Sequence, residues 1–274
     1  MSVARAQEPG PRRGPLAEAL LAWLAVSLAA AAVVGVVPAS AGGWQALAVG
    51  MLFLVAAMRL AGRHPEGLAG HGIDLGGVLE EPAPSPSVDG EPGTGAEEGG
   101  GALGRLLRGA MDLVRAVLRA TPAGLRETGV ALLVAALLFP PYGWLYGLVE
   151  APAGRFDLRL PPALPDLAVS QLLVVALPEE AFFRGYLQTR LERAFPPRVR
   201  LFGRTWSPGA LLIQALLFGV VHLAVDRQLG RLATAVPGLL FGVLRSWRGG
   251  IGAAVVLHAA SNLCAEVLAR SWRP

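Results

Sequence analysis

The chain has no lysine: its 24 basic residues are all arginine, set against 20 acidic ones, for a formal charge of +4 over 274 residues. It has a single cysteine, Cys264, and only 16% of its residues are charged. One cysteine excludes an internal disulfide framework. Sparse charge excludes an ordinary soluble domain of this length. The arginines cluster at the ends of apolar blocks instead of forming a patch, and no recognition module for DNA or RNA is present. Nucleic acid is therefore not an expected partner. An all-arginine basic set points to a GC-rich genome. The location expected is the inner membrane of a bacterium.

Hydrophobic residues make up 53% of the chain and fall in long blocks. About 20 apolar residues cross a bilayer as a helix. On that measure seven spans are expected, at 16–37, 44–60, 128–148, 167–187, 210–225, 232–244 and 251–268. The fold class expected is all-α, a polytopic helix bundle with the lipid bilayer as its surroundings. Residues 1–61 read as a two-helix membrane hairpin. The first block could serve as a signal peptide, but a second span follows at once and favours an uncleaved anchor. Residues 62–103, rich in Gly, Pro, Ser, Asp and Glu, read as a disordered linker. Residues 104–120 carry Arg105, Arg108, Arg115 and Arg119 mostly on one side of a helical wheel. They are expected to lie in the headgroup region as an amphipathic helix. Residues 125–270 form the main membrane domain. Arginines in the 189–207 loop and at 245 and 248 place both connections on the cytosolic side, with a cytosolic N-terminus.

Ionisable groups inside spans are costly and mark function by default. Here they are Glu179, Glu180, Arg184, His222 and His258, joined by the carboxamide of Asn262. Glu180 and Arg184 stand four apart and share a helix face, so they can pair. Glu179 is rotated by about 100° from Glu180 and needs another partner, for which a histidine is the best candidate. His258 and Asn262 also stand four apart and offer convergent donors suited to an oxyanion. Phe218 lies one turn before His222, where an aromatic ring can form a pocket floor. A carboxylate, a histidine and a second donor site make a set for activating water, and peptide hydrolysis is the reaction class it best fits. Each feature also has a plainer reading. The glutamate pair could snorkel to the interface, His222 could be a buried structural histidine, and His258 with Asn262 could be polar glue between helices. Phe218 alone would be packing, as would Cys264.

The ordered runs Glu179-Glu180-Ala-Phe-Phe-Arg184, Phe218-Gly-Val-Val-His222 and His258-Ala-Ala-Ser-Asn262 match E-E-x-x-x-R, F-x-x-x-H and H-x-x-x-N. The chain thereby resembles the CAAX protease and bacteriocin-processing (Abi or Rce1-like) family of glutamic intramembrane endopeptidases over roughly residues 125–270. The stretch from Leu177 to Arg193 is similar to the myxobacterial sorting proteases of that family, which would cleave C-terminal anchors. The resemblance implies a helix bundle around a water-accessible conical cavity. It implies Glu179 as general base helped by His222, and His258 with Asn262 as oxyanion donors. Glu180 and Arg184 would be structural partners, and Phe218 would shape the pocket. No cofactor or metal is implied, and the partner is a membrane-anchored protein or peptide substrate. Two other classes stay open: a zinc metalloprotease built on Glu and two His, although no H-E-x-x-H occurs, and a non-catalytic scaffold or immunity protein of the same fold.

Overall fold

A computed structural model describes residues 14–41, 43–73, 102–150, 154–201 and 203–273. The apolar runs become helices, and proline or glycine marks several of their ends. Helix α1 (Pro15–Val36) starts with proline at its first turn, where a missing N–H costs nothing. Helix α2 (Gly43–Ala61) returns beside it. After a short α3 (Gly67–Gly70), helix α4 (Ala102–Glu150) runs for 49 residues through Pro122, Pro140 and Pro141. The amphipathic stretch 104–120 and the span at 128–148 are thus one continuous helix. Of the span, Leu132, Leu133 and Leu137 are 55–67% exposed. An apolar surface of that extent suits lipid.

The glutamate motif lies on a helical run over 164–194 made of α5 (Leu164–Ser170), a π segment (Gln171–Ala176), α6 (Leu177–Glu180), a second π segment (Ala181–Leu187) and α7 (Gln188–Ala194). Strands β1 (Arg155–Phe156) and β4 (Trp272–Arg273) pair antiparallel, as do β2 (Val199–Leu201) and β3 (Arg204–Trp206). Helix α8 (Pro208–Asp226) is capped by Ser207, whose hydroxyl accepts from the Ala210 N–H at 3.3 Å. Helix α9 (Ala235–Arg248) stops at Gly249, whose φ of 86° suits glycine alone among common residues. Helix α10 (Gly252–Ser271) closes the bundle.

Among the described residues, five helices are by themselves long and apolar enough to cross a membrane: α1, α2, the 109–150 part of α4, α8 and α10. The chain is an all-α, multi-pass membrane bundle. The run over 164–194 exceeds the ~30 Å hydrocarbon core even though π segments divide it. Helix α9, expected as a full span, has 14 residues and reaches only about 21 Å.

Two apolar clusters hold the bundle. One joins α1, α2, the motif helix and α8; the other joins α4 and α9. Helix α10 serves both, with Val255 and Ala259 in the first, beside Ile251 just before it, and Ala253, Ala254 and Leu257 in the second. His258 sits at the seam.

The linker expected at 62–103 requires a correction at its start. Residues 62–73 are built into the fold: His71 and Ile73 are buried, and the Gly72 carbonyl accepts the Ile251 N–H at 3.0 Å. Residues 74–101, the bulk of that linker, lie outside the described residues.

Candidate active site

Three helices bring the polar set together. Glu180 Oε1 accepts from Arg184 Nη1 at 2.8 Å, and both side chains are fully buried. The four-residue spacing therefore produces the expected pair. The same oxygen accepts a second bond, from His258 Nδ1 at 2.8 Å. Arg184 Nη2 reaches across to the Gly238 carbonyl on α9 at 3.0 Å, and its guanidinium lies 4.2 Å from the Phe218 ring centroid. A desolvated cation in this position gains from the ring face as well as from the carboxylate. Helix α9 comes this close because residue 238 has no side chain: a Cβ there would stand 2.9 Å from the Phe218 ring.

Glu179 points elsewhere, as the helical phase requires. Its Oε2 lies 3.9 Å from His222 Nε2 and 3.9 Å from His258 Nε2. That oxygen is buried and has no hydrogen-bond partner in the described structure. The Glu179 side chain keeps 14% exposure and His222 21%, against 5% for His258 and none for Glu180. The centre thus has a closed side, built on Glu180 and Arg184, and an open side at Glu179 and His222.

The tautomers of both histidines follow from their second nitrogens. His222 Nδ1 is 2.8 Å from the Phe218 carbonyl. A carbonyl only accepts, so Nδ1 carries the proton and the neutral ring turns its Nε2 lone pair toward Glu179. His258 Nδ1 donates to the Glu180 carboxylate, so its Nε2 is likewise a lone pair when the ring is neutral. Phe218 tilts against the His222 ring at 4.5 Å, and Phe241 stacks on His258 at 4.9 Å. Two lone pairs and a carboxylate oxygen converge on one point.

Asn262 sits apart from this convergence. Its Nδ2 donates to Gln171 Oε1 at 2.8 Å, so its side-chain partner is a residue outside all three motifs. Gln171 was missed because it belongs to no motif; the available signal was a lone carboxamide in the apolar run Ala168-Val-Ser-Gln-Leu-Leu-Val-Val-Ala176. The Glu180–His258 bond was also unforeseen. Spacing along one helix does not say which of two adjacent carboxylates faces a helix far along the chain. Phe241 and Gly238 came from outside the motifs too.

Residues 162–264 match the family model described as type II CAAX prenyl endopeptidase Rce1-like. That segment is Rce1-like. It contains all three motifs and every residue of the centre just described. No curated protein and no solved structure matches the chain. Helices α1, α2 and α4 lie outside the Rce1-like segment.

Proposed function

We propose that the chain is a glutamic-type endopeptidase that cuts a peptide bond close to the membrane anchor or C-terminus of its substrate, in the inner membrane of a bacterium. The observation that carries this reading is the convergence of His222 Nε2 and His258 Nε2 on an unpaired oxygen of Glu179. Water held there donates to Glu179 and to His222, which turns an oxygen lone pair toward the scissile carbonyl carbon. As the C–O bond forms, Glu179 takes the water proton and the carbonyl oxygen becomes the oxyanion. Collapse expels the amine, and the proton held by Glu179 passes to its nitrogen, restoring the carboxylate.

The oxyanion then needs donors. Asn262 keeps a second N–H beyond the one given to Gln171. His258 contributes from Nε2 only while it carries a second proton, because its Nδ1–H is committed to Glu180. Glu180 therefore does more than balance Arg184: it sets the tautomer of His258. A substrate ending in a CAAX-type or other C-terminal membrane anchor fits the Rce1-like match, and sorting of C-terminally anchored proteins is the narrower form of this reading.

Two histidines with tied Nδ1 atoms beside a carboxylate are also donors that zinc takes. Among the described residues no group of three His, Cys, Asp or Glu side chains is set to hold a metal ion, which favours the glutamate reading. Purified protein in proteoliposomes, given a farnesylated CAAX-ended peptide, tests both. Cleavage is expected to vanish in Glu179→Gln and to persist in phenanthroline. Loss with phenanthroline restored by zinc overturns the glutamate assignment. In cells, a Glu179→Gln gene that complements a deletion strain as well as the parent gene would assign the protein a scaffold role instead.

A further inference from the structure

We infer that Gln171 is a positioning residue of this centre: its side-chain carbonyl holds the Asn262 carboxamide so that the second Asn262 N–H faces the oxyanion. The inference rests on the endopeptidase reading and adds a residue to it. An unrestrained asparagine amide turns over and presents oxygen as readily as nitrogen, and oxygen would repel the developing charge. Gln171 Oε1 accepts from Asn262 Nδ2 at 2.8 Å, and in this orientation it holds the donor face. The adjacent hydroxyl, Ser261 Oγ, is turned back to the Leu257 carbonyl at 2.7 Å. It does not compete for Asn262.

The backbone places Gln171 for this task. In a regular α-helix a residue eight positions before Glu179 lies about 80° off its face. A π turn accommodates about one extra residue, which is about 100° of phase. Gln171 opens the π segment Gln171–Ala176, and with that turn included it falls within about 20° of the Glu179 face, roughly two turns away. Asn262 stands one turn beyond His258 on α10, which packs along this π segment. The amide pair thus ties the base-bearing helix to α10 just beyond the level where Glu179 meets His258. A carboxamide in so apolar a stretch is costly unless paired, and this pairing serves both amides.

The test uses the full-length protein in proteoliposomes with the farnesylated CAAX-ended peptide as probe. Parent cleavage with an inactive Glu179→Gln sets the baseline. Gln171→Met removes the carbonyl at nearly constant volume. It is expected to lower kcat about 10- to 100-fold, with KM within about two-fold. Gln171→Glu keeps an accepting oxygen and cannot donate, and it is expected to recover kcat to within about five-fold of the parent. Parent-like kcat in Gln171→Met, or no recovery in Gln171→Glu, overturns the assignment. Thermal unfolding of Gln171→Met, Asn262→Leu and the double variant gives a readout independent of activity. The double variant is expected to lose no more Tm than the worse single one, and additive losses overturn the pairing. A parent that leaves the probe intact counts against the endopeptidase reading, and the unfolding cycle then still decides whether Gln171 holds Asn262.

Discussion

Glu180 gives one oxygen to two donors, Arg184 and His258, whereas Glu179 Oε2 is buried with no donor at all. Substitution to glutamine should therefore separate the two residues by kind of effect. Glu180→Gln leaves a fully buried guanidinium without its counter-charge, a loss of about 3–5 kcal/mol, and frees the tautomer of His258. Glu179→Gln removes the proposed base and leaves the Arg184 pair intact. Thermal unfolding in detergent beside a cleavage assay separates them: we expect a large fall in Tm for Glu180→Gln and a near-parental Tm with no cleavage for Glu179→Gln. A parental Tm in Glu180→Gln would refute the structural half of this division. The Glu180–Arg184 pair was legible in the sequence because four-residue spacing survives as a shared face. Its link to His258 was not, since that depends on how the motif helix is turned relative to α10, and two π segments bracket the glutamates and alter that turn.

At the scale of elements, α9 matters through what it omits. Gly238 lets its backbone approach Phe218 and bring a carbonyl to Arg184. Gly238→Ala places a methyl 2.9 Å from the ring and 3.2 Å from Arg184 Nη2, an overpacking that costs about 1–3 kcal/mol. Lower Tm and reduced cleavage together are expected, and an unchanged Tm would show that α9 is free to shift. The segment 62–73 offers a pH test. Burial holds the His71 imidazole below the usual histidine range, against the opposing pull of the Gly67 carbonyl and Glu66. Its folded-state pKa is depressed, so the docked segment has its full stability above about pH 6.5 and loses it as pH falls through the lower folded value. His64, Glu66, Arg193 and Tyr186 surround it. Protection of the amides of residues 62–73, taken relative to the intrinsic exchange rate at each pH, is expected to fall between pH 7.5 and 5, and less so in His71→Gln. An equal fall in both would move the effect to another group. Composition misread this segment because Leu68, His71 and Ile73 sit at the edge of a Gly/Pro-rich region whose average hides them.

On the scale of the whole molecule, the N-terminal hairpin is tied to the Rce1-like segment by charge as well as by apolar contact. Glu18 on α1 accepts from His64 at 2.9 Å, from the Tyr186 hydroxyl at 3.1 Å and from Arg190 at 2.5 Å, while Glu66 pairs with Arg193. An all-α, multi-pass bundle could be read from apolar blocks, though not its number of spans; this docking could not, since partners 172 positions apart leave no local pattern. It gives two deletions of the linker region different expected outcomes. Deleting 74–101 and joining the ends with a short Gly/Ser spacer is expected to leave proteolysis largely intact. Extending the deletion back through 62 removes His64, Glu66 and Ile73 and is expected to lower both membrane yield and cleavage. Equal activity of the two deletions, measured on equal amounts of inserted protein, would count against the docking. Phe218 carries a last consequence. Its ring lies against Arg184, His222 and His258, and its carbonyl orients His222. The three groups therefore cannot be tuned one at a time through that position. Any substitution there that loosens one histidine also changes the bed of the arginine, so variants with altered substrate preference are better sought on the open side around Glu179 and His222 than beneath the ring.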